Sequence, residues 1–273
     1  MTDLLPETHR PARRAPEDLA VSIAASLRPD QRLLVALDHD GTLSPIAPRP
    51  QDAVLASGAA EALEALGQVA DVVVLSGRGL DDLVDRVGRL PLRIVSEHGL
   101  RMRHRDGRVT ALTDGFTPEA LADVRDRVAT LLPADRLAEG WIVEDKGVGL
   151  AIHHRLVACE AVEPMLSAVR EVLRAAPGGH VQEGKAVLEL RAAGADKGSA
   201  LAHLIVTSGP ALPVMVGDDL TDEPALATAE AEGGVGVLVA SEDRASAASV
   251  RVADPDAVVA LLAALAERIR RGR

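Results

Sequence analysis

The sequence of 273 residues predicts an α/β fold, a doubly wound parallel sheet interrupted by an inserted α+β domain. Short apolar runs alternate with helical patterns in residues 33–95, and this alternation returns after residue 196. Such alternation is typical of parallel strands joined by right-handed helical crossovers. Between the two segments, hairpin patterns and alternating apolar and polar residues predict an antiparallel sheet with one open face.

These patterns divide the chain into four segments. Residues 1–32 are predicted to be an N-terminal extension that carries a peripheral helix. Residues 33–104 form the first part of the core, and residues 193–273 form the second part. Residues 105–192 form the inserted domain.

Apolar residues at alternating or helical spacing define the predicted elements. Core strands are continuous apolar runs because helices cover both faces of a doubly wound sheet. In chain order we predict a helix at 17–27, a strand at 33–37, a helix at 53–66, a strand at 72–75, a helix at 80–87, a strand at 92–95, a hairpin at 101–112, a helix at 118–132, a hairpin at 141–155, a helix at 162–175, strands at 180–182 and 187–191, a helix at 199–206, strands at 213–216 and 234–239, a short strand at 251–252 and a helix from 256.

The composition excludes several classes of partner. A formal net charge of −11 repels the phosphate backbone, and Trp141 and Phe116 are the only aromatic residues of the Phe, Trp and Tyr types, so nucleic acid is not expected. No apolar run approaches the length of a membrane span, and no signal-like segment is present, which predicts a cytoplasmic protein. The single cysteine, Cys159, excludes an internal disulfide. A small molecule is the expected partner, and the sequence does not define the oligomeric state, although it is compatible with a monomer.

Two carboxylates, Asp38 and Asp40, follow the first buried strand. The C-terminal ends of parallel strands border the ligand crevice of a doubly wound sheet. Side chains two residues apart start on the same side of a strand, so these two can converge on one atom, one as nucleophile and one as proton donor. The alternative is a turn without function, because Asp and Gly are common turn residues.

Three further motifs follow in order, Ser76-Gly77-Arg78, Asp196-Lys197-Gly198 and the run from Gly217 to Glu223. The first and last of these follow predicted buried strands, which places them at the same sheet edge as Asp38 and Asp40. Clustered carboxylates repel one another without a cation, and oxygen ligands favour Mg²⁺. We therefore predict a magnesium site at this edge.

The order of these four motifs resembles the haloacid dehalogenase-like phosphatases, a family that combines a doubly wound core with a mobile cap. Further motifs are similar to those of trehalose-6-phosphate phosphatases, and the resemblance covers about residues 33–255. The similar segments are 96–99, 143–146, 150–155, 184–191 and 217–223.

The resemblance implies a role for each core residue. Asp38 would attack phosphorus and form an aspartyl phosphate, while Asp40 would protonate the leaving sugar oxygen and then deprotonate water. Thr42 would help to fix Asp40. Ser76 and Lys197 would hold the phosphoryl oxygens.

The resemblance also implies how Mg²⁺ is held. Asp38, the backbone carbonyl of Asp40, and Asp218 would be its ligands. Asp222 would support the ion without contacting it directly, by orienting its ligands or through a water molecule. Whether Asp219 also does so stays open.

Residues of the inserted domain are implied to contact the substrate. Strand alternation supports this independently, since it places carboxylates and cations together on the open face of the sheet. Such a mixture suits sugar hydroxyls, which both donate and accept hydrogen bonds. The alternative is a solvated face that carries weak surface ion pairs. The substrate-binding residues so predicted are Glu144, Lys146, Arg155, Lys185 and Glu189, and Arg78 of the core is predicted to bind substrate with them.

The activity that the resemblance implies is hydrolysis of trehalose 6-phosphate to trehalose and phosphate. One alternative is a capped phosphatase for another sugar phosphate, such as sucrose phosphate or a glycosyl phosphoglycerate. Another is a catalytically silent module that binds phosphosugars or a synthase partner for regulation. The presence of Asp38, Asp40, Lys197 and Asp218 argues against the silent module, which needs no such set.

Overall fold

The computed structural model describes residues 8–272, except residues 48, 50, 51, 88, 89, 91, 114, 115, 146 and 185. The chain divides into two compact units. Unit 1 comprises Met1–Leu112 and Asp196–Arg273, and unit 2 comprises Thr113–Ala195. Among the described residues, no helix is both long enough and apolar enough to cross a membrane.

The strands are numbered in chain order. They are β1 (Ala12–Arg13), β2 (Arg32–Leu37), β3 (Asp71–Leu75), β4 (Arg93–Ser96), β5 (Arg101–Arg103), β6 (Val109–Ala111), β7 (Ile142–Asp145), β8 (Leu150–His153), β9 (Gly179–Gly184), β10 (Val187–Ala192), β11 (Ala211–Gly217), β12 (Val235–Val239) and β13 (Val250–Val252).

The helices are numbered in the same way. They are α1 (Pro16–Ser26), α2 (Ala59–Gly67), α3 (Leu80–Val87), α4 (Pro118–Leu131), α5 (Ala134–Ala138), α6 (Cys159–Arg174), α7 (Lys197–Ser208), α8 (Glu223–Ala231) and α9 (Pro255–Gly272).

Unit 1 is built on a sheet that has nine strands within the described residues. Their order is β1-β13-β12-β11-β2-β3-β4-β5-β6, so β2 is central, between β11 and β3. Neighbours from β1 to β4 pair in parallel, whereas β5 and β6 pair antiparallel. The predicted parallel core is confirmed, and its central strand is the one that delivers Asp38 to the sheet edge.

Helices cover both faces of this sheet. On β2, Leu33, Val35 and Leu37 pack into the core that α1, α2, α3 and α9 complete. Leu34 and Ala36 pack into the opposite core, which α7 and α8 complete. All five side chains are buried, which is why β2 is an unbroken apolar run.

Two segments lie elsewhere in the fold than the sequence predicts. Strand β6 pairs with β5, which extends the core sheet with Met102 opposite Val95, so β6 lies in unit 1 although the inserted segment was predicted to start at residue 105. Helix α1 packs on α9 and buries Leu19 and Ile23 in the core. The predicted peripheral helix therefore contributes to the core.

Other local differences have local causes. Helix α2 begins at Ala59 rather than at residue 53, because Gly58 adopts a left-handed conformation (φ 80°) that interrupts the helical path. The sequence analysis also omitted β1, α5 and α8. β1 and α5 are too short to show a period, with two and five residues.

Unit 2 contains an antiparallel sheet whose described strands have the order β7-β8-β10-β9. Leu150, Ile152, Leu188 and Leu190 point to one face and are buried against α4 and α6. The other face carries the alternate residues of the same strands. The predicted antiparallel sheet is confirmed. Its second face is exposed at Glu144 but buried at Ala151 and Glu189.

Candidate active site

Asp38 follows β2 directly and is 5% exposed. Its backbone N–H donates to the carbonyl of Val216 on β11 at 2.9 Å, so the parallel pairing continues through this residue. The carboxylate is thus held at the end of the central, buried strand of the sheet. Burial raises the pKa of Asp38 more than its lysine partner lowers it.

Lys197, at the first position of α7, is that partner. Asp196 caps the helix by accepting a hydrogen bond from the N–H of Ser199 at 2.9 Å. The Nζ of Lys197 donates to Asp38 Oδ1 and to Asp222 Oδ1, each at 2.6 Å. Burial opposes the charge of Lys197, which is 3% exposed, but the two carboxylates outweigh burial and raise its pKa.

Asp222 connects this ion pair to the loop that follows β11. Its Oδ2 accepts the backbone N–H groups of Asp218 and Asp219, at 2.9 and 3.0 Å. Asp219 is exposed, and its side chain instead caps the short turn by accepting from the N–H of Leu220. Asp222 therefore lies inside the carboxylate cluster, and the carboxylate of Asp219 lies outside it.

The cluster fits a divalent cation. Asp38, Asp218 and Asp222 each offer an oxygen within 4.8 Å of the others. Three carboxylates and the ammonium of Lys197 leave two negative charges, and Asp218 Oδ1 is buried without a partner among the described residues. Burial and the neighbouring carboxylates raise the pKa of Asp218 to about 7. A cation bound to this all-oxygen donor set would remove the repulsion.

Gly41 makes room for this cluster. Its φ is +77°, and a Cβ at this position would lie 2.0 Å from Oδ2 of Asp218. A larger residue would displace the carboxylate. The glycine of the first motif is therefore required both by its backbone conformation and by the approach of Asp218.

The carboxylate of Asp40 is bound by Arg78 rather than included in this cluster. Arg78 donates from Nε to Oδ2 at 2.5 Å and from Nη2 to Oδ1 at 2.7 Å. Partial burial would raise the pKa of Asp40, but hydrogen bonds from His39 and Arg78 hold it well below its ordinary value. Arg78 was predicted to bind substrate, and in this structure its guanidinium binds carboxylates that include Asp40.

Asp82 is a site residue that the sequence analysis missed. It accepts from Arg78 Nη1 at 2.6 Å and from Arg86 Nε at 2.8 Å, so it holds Arg78 from the side opposite Asp40. The signal was present in the sequence, because Arg78, Asp82 and Arg86 are spaced four residues apart and such residues are neighbours on a helix.

Two hydroxyls lie near these charges in the chain and are buried. Ser76 Oγ accepts from the N–H of Arg78 at 3.3 Å. Thr42 was expected to help fix Asp40, but its Oγ1 has no hydrogen-bond partner within the described part of the chain. Both hydroxyls keep hydrogen-bonding capacity for another group.

The turn at residues 96–99 supports the loop that carries Ser76. Glu97 and His98 both have positive φ, 54° and 58°. Their N–H groups donate to the carbonyls of Arg78 and Ser76, at 2.9 and 3.0 Å. A Cβ at Gly77 would lie 2.3 Å from the imidazole of His98, so the ring packs directly on the glycine backbone. His98 therefore has a positioning role.

In unit 2, strand register places Glu144, Ala151 and Glu189 side by side on one face. Glu144 Oε2 lies 3.0 Å from His153 Nε2, and Glu189 forms an ion pair with Arg191. Carboxylates and their partners thus line this face, as alternation predicted.

The other predicted substrate residues of unit 2 are Arg155, Lys146 and Lys185. Arg155 is exposed in the turn after β8. Lys146 and Lys185 lie outside the described residues.

The doubly wound sheet, the inserted antiparallel unit and the buried cluster at the end of β2 define the haloacid dehalogenase-like class of capped α/β proteins. The chain belongs to the trehalose-phosphatase family, whose model matches residues 36–256. The resemblance inferred from the motifs is thereby confirmed.

Two relatives with different descriptions match the chain. A trehalose-phosphate phosphatase of Mycobacterium marinum is 32% identical over 95% of this chain and 69% of its own length. A Mycobacterium tuberculosis protein described as an uncharacterized glycosyl hydrolase is 40% identical over 86% of this chain. The chain spans only 18% of the length of that relative.

A solved structure of Aspergillus fumigatus trehalose-6-phosphate phosphatase supports the fold. It matches with a TM-score of 0.74 and 24% sequence identity, over 95% of this chain and 99% of that chain. At this identity the match establishes the architecture.

The contact between Gly77 and His98 predicts that a larger residue at position 77 destabilises the fold. Gly77→Ala should lower the free energy of unfolding by about 1–3 kcal/mol, because the added methyl meets the imidazole. Gly79→Ala is the matched control, since a Cβ there meets nothing within 4 Å. The coupling between Gly77 and His98 is measured by urea denaturation of both variants and of Gly77→Ala combined with His98→Ala. Equal losses for Gly77→Ala with and without His98 would contradict the contact.

Proposed function

We propose that this chain hydrolyses trehalose 6-phosphate to trehalose and phosphate, with Asp38 as nucleophile and Mg²⁺ as cofactor. The observation that carries the proposal is the position of Asp38, buried at the end of the central strand, bound to Lys197 and beside two further carboxylates. Family membership supports the substrate.

In the first half of the reaction, a carboxylate oxygen of Asp38 forms a bond to phosphorus while the bond from phosphorus to the sugar oxygen breaks. Lys197 holds the nucleophile and offers its ammonium charge to the phosphoryl oxygens. The buried hydroxyls of Thr42 and Ser76 donate hydrogen bonds to the same oxygens.

Asp40 moves the proton. Once protonated from solvent, it donates this proton to the leaving sugar oxygen. It then takes a proton from the water that attacks phosphorus, while the bond from phosphorus to Asp38 breaks and phosphate leaves. Because Arg78 binds both oxygens of Asp40, one oxygen must leave Arg78 before it can carry the proton. Arg78 thus determines where the carboxylate lies and when it is free to react.

The cation would be held by Asp38, Asp218 and the backbone carbonyl of Asp40, with support from Asp222. When bound, Mg²⁺ would supply positive charge where negative charge builds on the phosphoryl group. An all-oxygen donor set suits Mg²⁺ better than softer metals.

The open face of unit 2 is proposed to bind the sugar. Glu144 and Glu189 are acceptors there for sugar hydroxyls, and Arg155 is an exposed donor. Lys146 and Lys185 keep their proposed substrate role from the sequence pattern alone.

Replacing the nucleophile should abolish turnover. Asp38→Asn removes the attacking oxygen charge, so kcat should fall by about three orders of magnitude or more while the far-UV circular dichroism stays that of the wild type. Asp30→Asn, at an exposed carboxylate, should keep full activity. Phosphate release from trehalose 6-phosphate measures both variants, and an active Asp38→Asn enzyme would disprove the assignment.

Removal of divalent cations should stop turnover reversibly. The cluster around Asp38 has two uncompensated negative charges without a cation, and these repel an anionic phosphate ester. Treatment with a chelator, followed by dialysis and return of Mg²⁺, should abolish and then restore phosphate release. Undiminished activity after exhaustive chelation would contradict the metal site.

A substitution at the sugar site should affect the hydrolysis of a sugar phosphate more than that of a small phosphate ester. Glu144→Gln should reduce kcat/KM for trehalose 6-phosphate by about tenfold, because the sugar loses one hydrogen bond to a charged acceptor. Hydrolysis of p-nitrophenyl phosphate should stay unchanged. Glu139→Gln, at an exposed carboxylate of the same unit, is the control. A panel with sucrose 6-phosphate and glucosyl phosphoglycerate identifies the preferred sugar. Equal effects on all substrates would exclude Glu144 from sugar binding.

A further inference from the structure

The loop between β12 and β13 reaches the carboxylate cluster through Arg244. Its Nη2 donates to the backbone carbonyl of Asp218 at 2.9 Å. Its Nη1 donates to Glu223 Oε1 at 2.7 Å. One guanidinium therefore joins the loop after β11 to the first residue of α8, and no sequence motif pointed to this residue.

Glu223 is a firm anchor for this arginine. It is 8% exposed, and its second oxygen, Oε2, accepts from Ser246 Oγ at 3.0 Å and from the N–H of Ala247 at 2.7 Å. With both carboxylate oxygens bound, Glu223 has little freedom to move. The planar guanidinium transmits that position to its other partner, because its donors have a fixed geometry.

Asp218 is placed through its backbone. Its N–H donates to Asp222 Oδ2 at 2.9 Å, and its carbonyl accepts from Arg244. Its side-chain Oδ1 is buried and has no hydrogen bond with any described residue. The carboxylate most suited to bind a cation is therefore held by its two peptide groups, and Arg244 holds one of them.

We propose that Arg244 is a positioning residue for the divalent cation, acting through the backbone of Asp218. This inference rests on the proposed function in one respect, that a cation binds at Asp38, Asp218 and Asp222. Without Arg244 the peptide between Asp218 and Asp219 loses one of its two hydrogen bonds and keeps the one from the Asp219 N–H to Asp222, so the carboxylate of Asp218 occupies the binding position for less of the time. Partners that orient metal ligands typically change metal affinity by about 10–100-fold when removed.

Arg244→Met removes the guanidinium, which joins the two acceptors, and keeps most of the side-chain length. Arg10→Met is the matched control, since Arg10 pairs with Asp243, the neighbour of Arg244, at an 81% exposed position. Arg244→Lys keeps the charge but has no planar fork to join the two acceptors. Each variant is studied as the whole chain. EPR titration with Mn²⁺ measures the affinity of the site, and the Mg²⁺ dependence of activity gives the concentration for half-maximal activity. The midpoint of unfolding without metal measures stability.

Arg244→Met should bind Mn²⁺ about tenfold more weakly and need about tenfold more Mg²⁺ for half-maximal activity. Saturating Mg²⁺ should restore kcat, and KM for trehalose 6-phosphate should not change. Arg244→Lys should also bind weakly, whereas Arg10→Met should match the wild type.

Unchanged Mn²⁺ affinity in Arg244→Met would overturn the inference and leave the proposed function intact. A wild-type chain that binds no Mn²⁺ would overturn both. If Arg244→Met does not fold, Glu223→Gln decides in its place, since it weakens the anchor and keeps Arg244. Its Mn²⁺ affinity should fall, and wild-type affinity in that variant would overturn the inference.

Discussion

The buried ion pair of Lys197 with Asp38 and Asp222 is the interaction on which the rest of the site depends. It joins residues 159 positions apart, and it brings the first and second parts of unit 1 together at the end of the central strand. Breaking such a pair by removing one partner typically costs about 3–5 kcal/mol, because an uncompensated charge stays buried. Stability and chemistry thus rely on the same three side chains.

Around this pair, the loops of the site are held through their backbones. Asp222 accepts two N–H groups of the loop after β11, and Arg244 holds a carbonyl of the same loop. The turn at residues 96–99 holds the loop of Ser76 in the same way. Binding the backbone leaves the side chains of Asp218 and Thr42 without partners among the described residues, and so available to a ligand.

Charge is distributed unevenly within this small region. The Asp38 cluster has more negative than positive charge, and burial with mutual repulsion raises the pKa of Asp38 and Asp218. Asp40, two residues from Asp38, is bound by Arg78 and has a lowered pKa. Two carboxylates of one motif therefore have opposite environments. Contact with Arg78 favours the ionised form of Asp40, so its role as proton donor requires that this contact first opens.

The sequence by itself determined the alternation of strands and helices, the inserted antiparallel unit and the sheet edge at which three of the four motifs lie. These features follow from local apolar spacing and from the position of those three motifs after a strand. Only the tertiary structure decided that Arg78 binds Asp40, that Asp222 rather than Asp219 joins the cluster, and that Arg244 reaches Asp218. Such pairings depend on side-chain directions and on distances between residues remote in the chain, and apolar periodicity has no information about either.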